Sequence, residues 1–362
     1  MSTQGTKYPL LPFSQLVYDI TRWMPSIYRF PVRYVWPNGA KEKARIEQAI
    51  RTAIANHPVF AARVDCRGRQ CATKSRDVFH GQYHDIELIE SGKDLVIQMT
   101  VSRILGDGKS GEILQEDIQR AYRGEPLEPD DYWGYVERFE AQKQSPHYAA
   151  SRSWLINEFA DQSIPVRPAI DRCCLFTLLP PKAGVYTADY SDLQAKIQDL
   201  ATSSHLSADG FFSLCTALAI AEYCGTDQAA LTWAYEGREL PEEQRIFGSL
   251  HRDVPFHIRK SENRELLIRE ARNQIRAGIA HCDYPYTLTA PYSDRWNYAV
   301  NVLRAPEMTH EEKYAYALLD VEIHEREQSL VLVYRYSATH YKEQSIRHFA
   351  RLVRKYAEWL TA

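Results

Sequence analysis

Polar and apolar residues alternate along "KDLVIQMTVSR", with Leu95, Ile97, Met99 and Val101 on one side. A period of two places these four on one face of a β-strand, and Arg103 falls in phase with them. The period then changes. In "GDGKSGEILQEDIQRAYRG", Ile113, Leu114, Ile118 and Tyr122 recur at helical spacing. They predict a helix from about Ser110 to Tyr122 with Gly124 as its stop. "VSRILGDGKSG" therefore reads as strand end, tight Asp-Gly turn and helix start. Upstream, Ile46, Ala49, Ile50, Ala53 and Ile54 stripe a helix from about Lys41 to Asn56 that Pro58 ends. "VFAARVD" and "DIELIE" read as strands.

The second half follows the same logic. "RCCLFTLL" reads as a strand, a helix starts at Ser191, and "SHLSADGFFSLCTALAIAEYCG" reads as another helix. Ser207 is its candidate N-cap and Gly225 its candidate C′ residue. Strands "AALTWAYEG" and "DVPFHIR", the helix "ENRELLIREARNQIRAGIA", the strand-like "WNYAVNVL" and the hairpin "YALLDVEIHEREQSLVLVYRYS" come next. A closing helix from about Tyr341 to Leu360 keeps Ile346, Phe349, Val353, Tyr356 and Leu360 at helical spacing. The Pro-containing connector "ADQSIPVRPAID" marks the crossing between two domains, residues 1–165 and 166–362. Strands and helices mix without strict βαβ alternation, so the fold class is α+β rather than a doubly wound sheet.

Composition narrows the function classes. The 362 residues are 44% hydrophobic and 25% charged, with a net charge of −3 and the signs interspersed. A nucleic-acid partner would call for a basic stripe, and none is present. The start "MSTQGTKYPLLPF" lacks a signal pattern and no apolar run reaches membrane-spanning length, so no membrane association and a cytoplasmic location are expected. The seven cysteines, Cys66, Cys71, Cys173, Cys174, Cys215, Cys224 and Cys282, are odd in number. That argues for free thiols rather than a disulfide framework, and no Cys/His spacing completes a metal site. There is no phosphate-binding glycine loop and no Gly-x-Ser-x-Gly, which leaves nucleotide binding and serine-triad hydrolysis without support.

Several stretches, taken in order, resemble the condensation-domain branch of the chloramphenicol-acetyltransferase-like superfamily, of nonribosomal peptide synthetase type. They are "LPFSQLVYDITRWMPSIYRFP", "IEQAIRTAIANHPVFAARV", "GDGKSGEILQEDIQRAYRGEPL", "YWGYVERFEAQ", "LSADGFFSLCTALAIAEYCG", "AYEGR" and "IFGSLHRDVPFHI". The resemblance spans nearly the whole chain. It implies two acyltransferase-like lobes in a V-shaped pseudodimer with a central tunnel. It also implies an acyl donor on the phosphopantetheine arm of a carrier protein, or on CoA, and no tightly bound cofactor.

The family motif is His-His-x-x-x-Asp-Gly. Aligned on Asp107 and Gly108, this chain reads "SRILGDG", with Ser102 and Arg103 at the histidine positions. Arginine stays protonated in proteins, so Arg103 cannot take the proton that the second histidine would take. Ser102 cannot replace it unless another base activates it. The resemblance makes Asp107 structural, with an arginine partner expected near Arg63, while pairing with Arg103 across the turn is the alternative. Arg103 itself reads either as half of a structural ion pair or as an anion- or carbonyl-binding group beside the helix start, with Gly108, Lys109 and Ser110 as neighbours. His251 is a candidate stand-in base, and Arg252 replaces the family asparagine next to it. Tyr286, Tyr292 and Trp296, in an aromatic-rich stretch, are candidates to line the tunnel. His57, ending a helix before Pro58, reads as capping or structural, and His324 as a strand position with no partner.

Two functions remain open at this point. One is a standalone acyl or aminoacyl transferase that moves an acyl group from a carrier-protein or CoA thioester to an amine or hydroxyl without the usual histidine. The other is a catalytically inactive condensation fold that binds a carrier protein or recruits a tailoring enzyme.

Overall fold

The computed structural model describes residues 6–21, 29–73, 78–159, 161, 163–172, 182–285, 299–304 and 317–362. The chain forms two compact units. The first holds the chain up to Gln144 and takes back Glu236–His251. The second begins at Ser145 and holds Ser145–Tyr235 and, from Arg252, the described remainder.

In the first unit, β1 (Tyr8–Pro9) is followed by α1 (Pro12–Thr21), β2 (Arg29–Trp36) and α2 (Lys43–Asn56). Then come β3 (Ala62–Val64), β4 (Arg69–Ala72), β5 (His84–Ser91), β6 (Asp94–Ser102), α3 (Gly108–Arg123) and α4 (Tyr132–Gln142). β6 is the middle of an antiparallel sheet ordered β2-β6-β5, running in register from Arg29↔Ser102 to Trp36↔Leu95 on one side. The alternation read in the sequence is its cause. Leu95, Ile97, Met99 and Val101 join one core with Ile46 and Ile50 of α2 and Leu114 and Ile118 of α3. Gly124 ends α3 in the left-handed region (φ 77°), where a Cβ would be strained. "VFAARVD" is only half strand. Pro58, with no N–H to donate, opens a 3-10 turn over Pro58–Ala61 before β3 begins.

The second unit holds α5 (Pro146–Glu158), β7 (Ala183–Asp189), α6 (Gln194–Ser204), α7 (Ala208–Tyr223), β8 (Gln228–Tyr235) and β9 (Arg252–Arg259). It continues with α8 (Arg264–Ala280), β10 (Asn301–Arg304), β11 (Leu319–Arg326), β12 (Ser329–Ser337) and α9 (Glu343–Thr361). Its sheet is mixed and ordered β7-β12-β11-β10-β8-β9, with β10 parallel to both neighbours and the other pairs antiparallel. α7 is apolar all round and buried from Gly210 to Ala221, as a helix packed between β8, α8 and α9 must be. Ser207 caps it by accepting from Gly210 N (3.2 Å). The strand expected at "RCCLFTLL" lies almost wholly outside the described residues. Among the described residues, no helix is long and apolar enough to cross a membrane.

Candidate functional site at the Asp107 turn

β6 ends at Ser102 and the chain turns at once. Leu105 N donates to Ser102 O (2.9 Å), which places Arg103 and Ile104 at the corners of a four-residue turn. The turn is pinned from both sides: Ser102 Oγ accepts from Ile104 N (3.2 Å), and Ser14 Oγ of α1 donates to Ile104 O (2.8 Å). Ser102 is buried, and no histidine or carboxylate among the described residues hydrogen-bonds its hydroxyl. Arg103 is half-buried, with its guanidinium carbon 5.9 Å from the centre of the Phe30 ring.

Asp107 is the N-cap of α3. Its Oδ1 accepts from Ser110 N (2.9 Å) and Ser110 Oγ (2.8 Å), and Ser110 Oγ accepts in turn from Asp107 N (3.2 Å), a reciprocal capping box. The charge at this helix start is thus the chain's own carboxylate. Its partner is Arg238. The guanidinium forks onto Oδ1 and Oδ2 (3.0 Å each) and also donates to Ile246 O (3.1 Å) and Gly248 O (3.1 Å). This corrects the expectation of Arg63, which is exposed on β3, and of Arg103 across the turn. Leu250 N (2.9 Å) and His251 N (3.1 Å) complete the shell by donating to Asp107 Oδ2. Burial pushes the Asp107 carboxyl up, but Arg238, the hydrogen bonds and the nearby His251 outweigh it and hold it down at about 2.

The remaining candidates take distinct places. Ser110 is fully buried and its hydroxyl is shared among Asp107, Gly248 and Arg238. Lys109 turns to Glu112 Oε2 (2.8 Å), and Gly108 is the first residue of α3. His251 sits edge-on to Phe13 with ring centres 4.0 Å apart. Arg252 opens β9 and donates to Cys282 Sγ (3.4 Å). Tyr286, Tyr292 and Trp296 lie outside the described residues. His324, read as lacking a partner, has one: its Nε2 is 3.3 Å from Glu322 Oε2, which Arg335 also engages (2.8 Å to Oε1). Residues i and i+2 of a strand share a face, a signal the sequence carried. Among the described residues, no group of three or more His, Cys, Asp or Glu is placed to hold a metal ion.

Gly106 is sterically required. A Cβ there would stand 2.8 Å from Phe247 Cε1 and 3.0 Å from Ser110 Cβ. Gly106→Ala is expected to lower stability by about 1–3 kcal/mol in chemical denaturation, the usual cost of overpacking.

A model of the condensation domain matches residues 67–361. The chain belongs to the condensation-domain family. No curated protein sequence matches it. Among solved structures it is similar to the first condensation domain of the calcium-dependent antibiotic synthetase in complex with a substrate analogue. That match has a TM-score of 0.78 at 13% identity and covers 99% of this chain and 97% of that one. It is similar to the starter condensation domain of rhizomide synthetase in complex with C8-CoA (TM-score 0.79, 15% identity, 98% and 95% covered). It is also similar to the epimerization domain from the third module of tyrocidine synthetase B (TM-score 0.78, 14% identity, 100% and 99% covered). The condensation-domain fold is therefore present over essentially the whole chain. It is the fold of acyl-transferring domains, and the epimerization domain among these neighbours means the fold does not fix the reaction.

Proposed function

We propose that this condensation domain joins an acyl or aminoacyl group, delivered as a carrier-protein or CoA thioester, to an amine or hydroxyl without a histidine base. The observation that carries the reading is the turn itself. Ser102, Leu105 and Ser14 pin it, the Asp107–Arg238 fork holds the helix start just beyond it, and the residue at its corner is a permanent cation, Arg103. A cation fixed there suits stabilisation of the oxyanion that forms when a nucleophile adds to the thioester carbonyl. The nucleophile's lone pair makes the new C–N or C–O bond. The C–S bond then breaks, and the released thiolate takes up the proton lost by the nucleophile. An amine nucleophile needs no base to attack, which fits the loss of titratable side chains at positions 102 and 103.

A second reading has its own observation. Ser102 Oγ accepts from the turn's own Ile104 N and, among the described residues, no base hydrogen-bonds it, which favours a catalytically inactive module that binds a carrier protein or recruits a tailoring enzyme. On either reading the protein works in the cytoplasm, where carrier-protein and CoA thioesters are available, with no membrane or nucleic-acid partner.

The two readings separate in one experiment. The protein is incubated with acyl-loaded carrier protein or acyl-CoA and a panel of amines and hydroxyl acceptors, and products are followed by mass spectrometry. Wild type is expected to form amide, and Arg103→Ala to lose about 10²–10³ in rate, the usual effect of removing one oxyanion donor. Carrier-protein binding without turnover by wild type would overturn the enzyme reading and establish the module.

A further inference from the structure

A second buried ionic cluster lies in the same unit as the Asp107 turn. His57, the C-cap of α2, has a fully buried side chain with a carboxylate at each ring nitrogen. Nδ1 is 2.8 Å from Asp130 Oδ2, and Nε2 is 3.2 Å from Asp117 Oδ2 of α3. Both carboxylates also hold the Glu236–His251 segment. Asp117 Oδ1 accepts from Arg245, whose other arm reaches Glu116 (2.6 Å), and Asp130 Oδ2 accepts from Phe247 N (3.0 Å). Phe60 and Phe247 rings close the remaining sides of the imidazole, 6.4 and 5.3 Å away. The charged groups around His57 are thus Asp117, Asp130 and Arg245, with Glu116 beyond the arginine.

A neutral imidazole has one N–H and would turn a lone pair toward one of two buried carboxylates. Only the imidazolium turns a positive N–H face to both: Nδ1 hydrogen-bonds Asp130, Nε2 faces Asp117 as an ion pair outside hydrogen-bond geometry, and the ring balances the charge of the Asp117, Asp130 and Arg245 set. We propose that His57 is a positioning residue: its imidazolium clamps residues 245–251 onto α3 and so fixes the Asp107 turn, and losing one ring proton releases the clamp. The link is continuous, because Gly248, Leu250 and His251, which hydrogen-bond Ser110 and Asp107, directly follow Arg245 and Phe247. The inference does not depend on the proposed acyl transfer.

Burial disfavours the charged ring, but the hydrogen bond to Asp130 and the negative charges of Asp117 and Asp130 outweigh it, so His57 titrates above its ordinary 6.5. The clamp is therefore complete below pH 6.5 and is lost as pH rises through the folded-state value. The test uses the intact chain with ¹⁵N-labelled histidine. The His57 ring, assigned by its loss in His57→Gln, is expected to be more than half imidazolium at pH 6.5 and to titrate above it. Amide exchange over residues 245–251, corrected for intrinsic base catalysis, is expected to accelerate at least about tenfold once pH passes its titration. Exchange over 343–361 should stay unchanged. Should His57→Gln not fold, the wild-type exchange profile alone decides. A ring already mostly neutral at pH 6.5, or protection at 245–251 indifferent to pH, would overturn the proposal.

Discussion

Replacing Arg238 with methionine is expected to cost the first unit about 3–5 kcal/mol, the range for removing one partner of a buried ion pair. Methionine keeps most of the volume, so the loss is electrostatic. Asp107 remains buried beside a side chain with no donors, and the carbonyl of Ile246 loses its guanidinium donor as well. Arg238→Lys should recover only part of this, because a point charge cannot fork onto both carboxylate oxygens. The pH dependence identifies the cause. In wild type Asp107 is held at about 2, against 3.8 for an ordinary aspartate, so its contribution is present above pH 3.8 and is lost as pH falls through 2. The gap between wild type and Arg238→Met should therefore be largest near neutral pH and shrink with acid. Asp107 protonates first in the variant, where burial raises it unopposed by Arg238, and in wild type only near pH 2. Denaturant midpoints across that range read it directly. A variant within about 1 kcal/mol of wild type at pH 7 would show that the fork is not what holds the turn.

That pair also marks where sequence reading stops. The strand at Asp94–Ser102, the helix at Gly108–Arg123 and the Asp-Gly turn between them follow from local period and turn chemistry, and all three formed where expected. So did the caps at Ser207 and Gly124. Local pattern says nothing about which residues meet across 131 positions, the separation of Asp107 and Arg238. The nearer arginines are the natural expectation, and the trace of the true partner is "AYEGR", which puts an arginine three positions past the end of an apolar strand. His57 is a similar case. Its place at a helix end was legible, but one of its carboxylates lies 73 residues further on. A histidine before Pro58 cannot reveal, from sequence alone, that it is buried between two acids. For Arg103 the sequence supplied the chemical question, and the structure added the turn that fixes its backbone.

Phe247→Ala should be the other large loss, again about 3–5 kcal/mol, as for a large aromatic removed from a core. The ring is fully buried, 4.6 Å from Phe60 and 5.3 Å from His57. It also lies against Gly106, the residue preceding the N-cap of α3. Truncation opens a void between the two ionic clusters, and the Asp130 hydrogen bond to Phe247 N then has no packed side chain behind it. Phe247→Leu, closer in volume, should cost less than half as much. Gly106 supplies an internal control. Gly106→Ala alone overpacks because its methyl meets the Phe247 ring, yet in Phe247→Ala the same methyl enters vacated space. The double variant should therefore be more stable than the sum of the two single losses predicts, by at least about 1 kcal/mol of coupling. Strictly additive losses in chemical denaturation would mean that the Phe247 ring and the Asp107 turn are not packed as one body.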